Sequence, residues 1–457
     1  MKFTKRMTDG NIYKNFLVFS IPLLISSLLS QVYSTVDAVI AGKFISDTAL
    51  GAISATGSYD LLLFALFTGF STGFGIYIAQ QFGKGDHAAV KRDIVSNGIF
   101  VSVLALVVSV ISVLLRDPIM EYLKVDPILR PDAETYFVIY TMGYVLPYLN
   151  LLLVQALYAL GCTAFSLYVS FIAAVVKIGG NLLCVLVLDF GVAGLAYVSL
   201  LSNGAATICY LLLLKKAFRE LSGEKTPFTF RFSGIRGSLK YALPAAIQQM
   251  TFSGSAALIA PYINGLGASA TTAFNVTNRV YDLATICLVC VTNAFNCYTA
   301  QCIGEGDCKK IPRGLKVGFL LSSVTLAPFA FGFVLLAKPI TSLFFTAGFD
   351  GEAYQYALRY TAVYLPFAYV QLVGHVLHAY LRCLGAMNTV LGITLFGGAV
   401  RVIATILLVP VIHIDGAYIG QIISWAADGA VSVLVAICLY RTQAQLQTVV
   451  ARIQSKS

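Results

Sequence analysis

Long apolar runs, separated by short charged or Gly- and Pro-containing breaks, make up almost the whole chain of 457 residues. Twelve such runs follow one another, with centres near residues 29, 66, 103, 146, 177, 203, 253, 287, 325, 367, 398 and 428. A helix needs roughly 20 mostly apolar residues to cross the hydrocarbon core of a bilayer. The pattern therefore predicts an all-α membrane protein with twelve transmembrane helices.

The composition supports this fold class. Hydrophobic residues account for 58% of the chain and charged residues for 11%, whereas soluble domains contain about 45–50% apolar and about 25% charged residues. The formal net charge of +10 comes from basic residues dispersed at the ends of apolar runs, so it does not indicate a nucleic-acid partner. Basic residues at the ends of membrane helices set the orientation of the protein in the membrane, because they favour the cytoplasmic side. We expect both termini and the longest polar connection on the cytoplasmic side of the cell (inner) membrane.

Two halves of the chain resemble each other. The segments "IPLLISSLLS" at 21, "SYDL" at 58, "AQQFGKGD" at 79 and "GLAYVSLLS" at 194 correspond to "LPAAIQQMTF" at 243, "VYDL" at 280, "AQCIGEGD" at 300 and "GAYIGQIIS" at 416, an offset of about 222 residues. We predict an N-terminal six-helix lobe (1–214), a cytoplasmic linker (215–240) and a C-terminal six-helix lobe with a cytoplasmic tail (241–457). Parallel repeats imply a pseudo-two-fold axis along the membrane normal and a central cavity.

The duplicated "AQxxGxGD" signature is interpreted as structural. Its glycines allow the left-handed turn that ends a helix, and Asp86 or Asp307 can cap the next helix. A phosphate-binding role is disfavoured because glycine-rich phosphate loops follow a strand, and this signature follows a membrane helix.

Several motifs in order make the chain resemble a known family. The segments are "VDAVIAGKF", "ALGAISATG", "GFSTGFGIYIAQQFGKGD", "NLL…GVAGLAYVSLLS" and "YLRCLGAMNT". Together they are similar to the multidrug and toxic compound extrusion (MATE) family, over nearly the whole chain. The resemblance implies a secondary antiporter that exports organic, often cationic, compounds against an inward flow of Na⁺ or H⁺, and that needs no other cofactor.

The same resemblance implies where ions are coupled. In the family, an aspartate of the first helix acts with polar residues of helices 5 and 6. Asp37 matches that aspartate, and Tyr33 matches a nearby aromatic residue. Asn181 matches the asparagine of helix 5, and Asn203 falls where a polar residue of helix 6 is expected. Many members carry a second acid where this chain has Val185, so a cation site made of two carboxylates is in doubt.

A basic residue lies near that position. Lys177 precedes Asn181 by four residues, so both project from one face of helix 5. We hypothesise that Lys177 pairs with Asp37 or Asp60 in one conformation and releases it in another. A permanent structural ion pair is the alternative.

Further residues are candidates for lining the substrate cavity. His375 and His378 lie three apart on helix 10 and could add a pair that changes charge near neutral pH; the alternative is hydrogen bonding to neighbours. No second cluster accompanies them, so a metal site is not expected. Aromatic faces can bind flat or cationic compounds, and the candidates are Tyr144, Tyr148, Tyr369 and Phe274.

Two other functions compete with drug export. A flippase for lipid-linked saccharide precursors would have the same fold, but it needs a strongly cationic cavity to hold pyrophosphate. Lys177 and Arg401 are too few basic residues for such a cavity. A membrane-embedded enzyme would need convergent catalytic groups, and the sequence offers no such arrangement. We expect a monomer whose partners are a small organic substrate and membrane lipid.

Overall fold

Helices account for nearly all of the described residues, and no strand occurs among them. The structure, a computed structural model, describes residues 4–40, 45, 47–188, 190–222, 232–345 and 351–454. Within these ranges, side chains are described except those of residues 33–39, 47–50, 54, 58, 186, 222, 233 and 440–454.

The α-helices of the described residues follow the apolar runs of the sequence. They are α1 Ile12–Ile40, α2 Asp47–Lys84, α3 His87–Leu114, α4 Arg116–Tyr122, α5 Arg130–Met142, α6 Val145–Ala159, α7 Ala164–Leu186, α8 Gly191–Ser222, α9 Phe232–Asn264, α10 Ala268–Glu305, α11 Ile311–Leu335, α12 Ala337–Ser342, α13 Glu352–Arg359, α14 Ala368–Cys383, α15 Met387–Ile412 and α16 Ile414–Gln454. Short π and 3₁₀ turns, Tyr360–Tyr364 and Leu365–Phe367, join α13 to α14.

The helices are long and apolar enough for a multi-pass membrane protein. Among the described residues, 10 helical spans could cross a bilayer, or 11 if α5 and α6, which are bent by 48°, form one span. The predicted all-α membrane fold is therefore confirmed, and each of the twelve predicted centres lies in a helical segment. The number twelve itself stays a prediction. The helix not counted is α9, which carries Arg236, Lys240, Gln248 and Gln249.

Packing divides the chain into two units. Unit 1 comprises Met1–Met250 and Cys297–Ile311, and unit 2 comprises Thr251–Asn296 and Pro312–Ser457. Helices α9 and α10 contribute residues to both units. The predicted linker, residues 215–240, contains the end of α8 and the start of α9; its residues 223–231 lie outside the described part.

Aromatic residues fill the core of unit 1 between α2, α3 and α6. Phe67 and Phe74 of α2 are fully buried, and so is Leu152 of α6. The ring of Phe67 stacks on that of Tyr148 with 3.9 Å between centroids and an interplanar angle of 5°. Burial of this kind fixes α6 against α2, the helices that carry Asn150 and Asp60 of the polar site described below.

The duplicated signature ends two helices as predicted, but it caps only one. Gly85 and Gly306 adopt φ of +77° and +76°, the left-handed conformation that glycine tolerates. The carboxylate of Asp86 accepts a hydrogen bond of 2.9 Å from the N–H of Ala89, which confirms the predicted cap. The capping prediction is wrong for Asp307: its side chain makes no cap bond and lies 3.2 Å from the Lys310 ammonium instead.

The two copies of this signature also contact each other within unit 1. A Cβ atom at Gly83 would lie 2.2 Å from the carbonyl oxygen of Gln301, and a Cβ atom at Gly304 would lie 2.0 Å from that of Gln80. Each glycine of one copy therefore faces the glutamine of the other, with α2 against α10. Reciprocal contacts of this kind are expected between elements related by a two-fold axis.

The N-terminal segment packs beside this contact. The N–H of Met7 donates a hydrogen bond of 2.7 Å to the side chain of Gln301, and the N–H of Lys5 donates one of 3.1 Å to the carbonyl of Leu160. Thr8 donates to Glu305, and the Met7 side chain is only 3% exposed. The segment thus joins the end of α6 to the end of α10.

We expect Gly304→Ala to destabilise the protein by about 1–3 kcal/mol, because its methyl group would force α2 and α10 apart. Thermal unfolding of the purified protein in detergent measures this loss. The control is Gly332→Ala in α11, where a Cβ atom meets nothing within 4 Å; it should be neutral or stabilising by up to about 1 kcal/mol. Equal effects of the two substitutions would contradict the proposed close contact.

Candidate functional site

A cavity of about 580 Å³ lies inside unit 1, and we call it the unit 1 cavity. Helices α1, α2, α5, α6, α7 and α8 contribute to its walls. Its aromatic walls are Phe64, Tyr140, Tyr148 and Tyr210. Its polar lining consists of Ser30, Asp60, Asn150, Ser170, Lys177, Ser202 and Asn203. A cleft of this size, with few convergent polar groups, has the properties of a small-molecule site.

The acid of this cavity is Asp60, on α2. Its carboxylate accepts a hydrogen bond from the hydroxyl of Tyr144, which is itself fully buried at the start of α6. A carboxylate inside a membrane helix costs about 2.5–3.5 kcal/mol on insertion scales, and a donor that remains in place offsets part of that cost. Tyr144 therefore holds Asp60 at the cavity wall.

The base of the cavity is Lys177, on α7. It lines the same cavity as Asp60 and is partly buried. Asn181, one turn further along α7, is 1% exposed. The structure thus brings the predicted lysine to the cavity that also contains one of its two predicted carboxylate partners. Opposite charges here face a largely aromatic and aliphatic lining, where they are screened less than in water.

Asn203 lies at the centre of an amide network on α6 and α8. The side-chain amide of Asn150 donates to the carbonyl of Asn203 at 3.0 Å, and the hydroxyl of Thr207 donates to the amide oxygen of Asn150 at 2.8 Å. The amide of Asn203 donates to the carbonyl of Ser199 at 2.9 Å. The network fixes both asparagine side chains where they line the cavity.

The predicted ion-coupling residues of α1 can be located only at the level of the helix. The side chains of Tyr33 and Asp37 lie outside the described residues. Helix α1, which contains both positions, packs along α7, the helix that carries Lys177 and Asn181.

In unit 2, His375 belongs to a hydrogen-bond chain. The hydroxyl of Tyr281 donates to the amide oxygen of Gln371, and the amide nitrogen of Gln371 lies 2.9 Å from Nε2 of His375. The ring of Tyr281 also stacks on that of Trp425, with 5.4 Å between centroids. The chain links α10, α14 and α16.

His378, one turn further along α14, lies against an acid. Its Nε2 is 3.3 Å from a carboxylate oxygen of Asp428, on α16, and the histidine is 5% exposed. Two glycines make room for this carboxylate. A Cβ atom at Gly374 would lie 2.4 Å from Oδ2 of Asp428, and one at Gly397 would lie 3.4 Å from Oδ1.

The remaining aromatic candidates lie in the packing of unit 2. The hydroxyl of Tyr369 donates to the carbonyl of Ser323 at 2.7 Å, and its ring packs against Phe331. Phe274 is 8% exposed within the apolar core of the unit. In unit 1, Tyr148 lines the cavity, whereas Tyr144 lies behind Asp60. No group of three His, Cys, Asp or Glu among the described residues could hold a metal ion.

The sequence alone missed part of the cavity. The sequence predicts Asp60 as a partner of Lys177 but not as a wall residue of this cavity, and it does not predict Asn150 or Tyr210. The sequence indicates such cavity residues only weakly, because a single polar residue in an apolar helix can also form a hydrogen bond that serves only helix packing. Two amides on different helices, Asn150 and Asn203, could have been suspected from their depth in apolar runs.

The family model and the related proteins that this chain matches point to the same family. The family model described as MatE matches residues 22–183 and 244–407. The probable multidrug resistance protein YpnP of Bacillus subtilis (strain 168) is 25% identical over 393 residues, which is 85% of this chain and 86% of that protein. The multidrug export protein MepA of Staphylococcus haemolyticus (strain JCSC1435) is 27% identical over 220 residues, 47% of each chain.

Solved structures share the fold. A chain described as the outward-facing conformation of a multidrug resistance MATE family transporter superposes with a TM-score of 0.86 at 17% identity, and the match covers 96% of this chain and 98% of that chain. A MOP superfamily transporter from Pyrococcus furiosus, described as having a binding pocket of reverse polarity, gives a TM-score of 0.85 at 17% identity and covers 94% and 96%. At these identities the likeness concerns the fold alone.

We expect Tyr144→Phe to lower the free energy of unfolding by about 1–3 kcal/mol, because Asp60 loses its hydrogen-bond donor. The control is Tyr148→Phe, since the ring stacked on Phe67 is kept and the hydroxyl makes no hydrogen bond to a described residue; it should change stability by less than about 0.5 kcal/mol. Thermal unfolding in detergent measures both. In an Asp60→Asn background the penalty of Tyr144→Phe should shrink, and an undiminished penalty would contradict the pairing.

We expect Gly374→Ala to destabilise the protein, because its methyl group would displace the carboxylate of Asp428 from His378. In an Asp428→Ala background the same substitution should cost less by about 0.5–3 kcal/mol, the range measured for residues in contact. Thermal unfolding of the four proteins measures this coupling. Gly392→Ala, where a Cβ atom meets nothing within 4 Å, serves as the control and should show no dependence on Asp428.

Proposed function

We propose that this chain, which belongs to the multidrug and toxic compound extrusion family, is a secondary active antiporter. It would export organic compounds in exchange for Na⁺ or H⁺. The MatE family model matches most of the chain. The family consists of transporters, so the chain is a transporter and not an enzyme. The proposal concerns the cargo, the coupling ion, the orientation in the cell membrane and the monomeric state.

The unit 1 cavity is the observation that carries the proposal. It combines an acid, a base, amides and aromatic faces inside helices that are otherwise apolar. Charged groups in such helices are costly and mark substrate or ion pathways. A binding site with several weakly directional contacts suits compounds of varied shape, and the relatives' descriptions as multidrug proteins favour such cargo.

Substrate recognition would combine charge and stacking. Asp60 offers a negative group to a cationic compound, and Tyr148 and Tyr140 offer ring faces beside it. Each contact between a cation and an aromatic face contributes roughly 0.5–2 kcal/mol. The predicted substrate residues of unit 2, His375 and His378, remain candidates for a second set of contacts.

Ion coupling is assigned to the Asp37 region. Because α1 packs along α7, Asp37 and Tyr33 belong to the helix beside Lys177 and Asn181. Entry of Na⁺ or a proton there would favour the conformation that releases the cargo, provided that the ion binds that conformation more tightly. Release of Lys177 from a carboxylate partner would accompany this exchange.

Alternating access supplies the transport cycle in this proposal. Two six-helix lobes would rock so that the cavity opens first inward and then outward. The distribution of basic residues favours both termini in the cytoplasm, and the contacts of Gly83 with Gln301 and of Gly304 with Gln80 would then close the cytoplasmic side in one of these states. Opening that side requires α2 and α10 to separate there.

A transport assay tests the proposed function directly. Purified protein in proteoliposomes should move a fluorescent cationic dye when a Na⁺ gradient or a proton gradient is imposed separately. The gradient that drives movement identifies the coupling ion. Movement of labelled lipid-linked saccharide, with no dye movement under either gradient, would favour a flippase instead.

We expect Asp37→Asn to reduce ion-driven dye movement by at least about tenfold while the protein remains folded, because the carboxylate that binds the coupling ion is lost. The control is Asp9→Asn, an exposed aspartate before α1. Lys177→Ala should uncouple dye movement from the gradient if the lysine switches partners. Full ion-driven transport by Asp37→Asn would refute its assigned role.

A further inference from the structure

Arg401 is a charged residue near the middle of α15, and the unit 1 cavity does not involve it. The side chain is partly buried. Its Nη1 donates one long hydrogen bond of 3.4 Å to the hydroxyl of Ser255 on α9. Its Nε is buried and makes no hydrogen bond to any described residue. A guanidinium has five N–H donors, and one hydrogen bond from Arg401 to the described residues is found.

No carboxylate of a described side chain balances the charge of this arginine. Among the described side chains, none lies within the 4.0 Å of an ion pair with Arg401, although other arginines of the chain have such partners. The groups that interact with Arg401 electrostatically are the phenols of Tyr281 and Tyr360. An uncompensated charge in a membrane helix is costly and marks a binding site by default. The missing partner is therefore expected to be a negative group that arrives from outside the chain.

An apolar groove of about 410 Å³, which we call the unit 2 groove, is lined by Ser255, the residue that accepts the hydrogen bond from Arg401. It lies between α9 and α15. The α15 neighbours Gly398 and Val402 also belong to its wall. Gly254 leaves open space there, because a Cβ atom would meet nothing within 4 Å. The other wall residues are Thr251, Leu258, Leu395, Ala399 and Ile403.

We propose that Arg401 and the unit 2 groove together bind a drug-sized amphiphilic organic anion, with its carboxylate or phosphate on the guanidinium and its apolar body in the groove. A planar guanidinium matches these oxyanions in a bidentate geometry. Volume selects the occupant: a groove of about 410 Å³ falls in the range that holds drug-sized ligands, so a single-chain compound fits better than a two-chain phospholipid.

This site goes beyond the proposed function, because it is in unit 2 and takes a charge opposite to the one that Asp60 would attract. The unit 1 cavity offers a carboxylate to cations, whereas the unit 2 groove offers a guanidinium to anions. The chain would therefore bind organic compounds of either sign at separate places.

The single tryptophan of the chain provides a direct reporter. Trp425 stacks on Tyr281, and Tyr281 is one of the phenols that interact with Arg401. Laurate, added to the detergent-solubilised protein, should change Trp425 fluorescence saturably. Dodecyltrimethylammonium, which has a chain of the same length and the opposite charge, should bind more weakly by at least about tenfold, as expected for charge complementarity.

Two variants test the two halves of the site. Arg401→Gln should weaken laurate binding by at least about tenfold, and Arg401→Lys should weaken it less. Gly254→Leu should weaken laurate binding by filling the groove while leaving the guanidinium in place, whereas Gly392→Leu, also at an open position, should leave it unchanged. If Arg401→Gln fails to fold, Gly254→Leu and Gly392→Leu decide the question.

Three results would overturn the proposal: unchanged laurate affinity in Arg401→Gln, equal affinity for laurate and dodecyltrimethylammonium, or equal loss in Gly254→Leu and Gly392→Leu. Displacement of laurate by phosphatidylglycerol at similar concentrations would assign the site to a bilayer lipid instead. These measurements use no ion gradient. Failure of ion-driven dye transport would therefore contradict the proposed function without contradicting this site. Absence of laurate binding would contradict this site without contradicting the proposed function.

Discussion

The high cost of leaving a polar group unmatched inside a membrane helix governs the whole arrangement. Asp60 is held by the hydroxyl of Tyr144, the amide of Asn150 donates to the backbone carbonyl of Asn203, and His378 lies against Asp428. Each match joins two helices, so the same contacts that satisfy polar atoms also fix which helices are neighbours. Arg401 is one of several described residues with a buried polar atom that makes no such match, and it differs from the others considered above in lying next to the wall of an apolar groove.

Close backbone contact is the second constraint. At Gly83 and Gly304 the side chain is absent because the carbonyl of the facing helix occupies its place. Tight contact of this kind brings van der Waals attraction between helices, which matters in lipid because apolar side chains gain little by leaving it. It also makes the contact sensitive to displacement, since a helix that moves by one carbon radius loses most of that attraction.

The sequence predicted the helices well and their partners poorly. Hydropathy predicts helix positions because every membrane span must be apolar over its length. Helix α9 is not among the candidate spans, because it contains glutamines and basic residues. The spacing of Lys177 and Asn181 predicted that both project from one helix, and α7 contains both. By contrast, Tyr144 reaches Asp60 across 84 positions, and no local pattern encodes such a contact. Asp307 shows the same limit, because a nearby lysine competes with the cap that its motif predicts.

The N-terminal segment has a consequence for biogenesis. Met7 is bound by Gln301, a residue that the ribosome adds 294 positions later. At about 5–20 residues per second, that partner follows after roughly 15–60 s. During this interval the segment has been synthesised and can reach Leu160, but it lacks its partners on α10, which are present only when the start of the second half has been inserted. Docking of this segment against α10 therefore cannot precede insertion of the start of the second half, and the first part of the chain to be made completes its contacts only after α10 is in place.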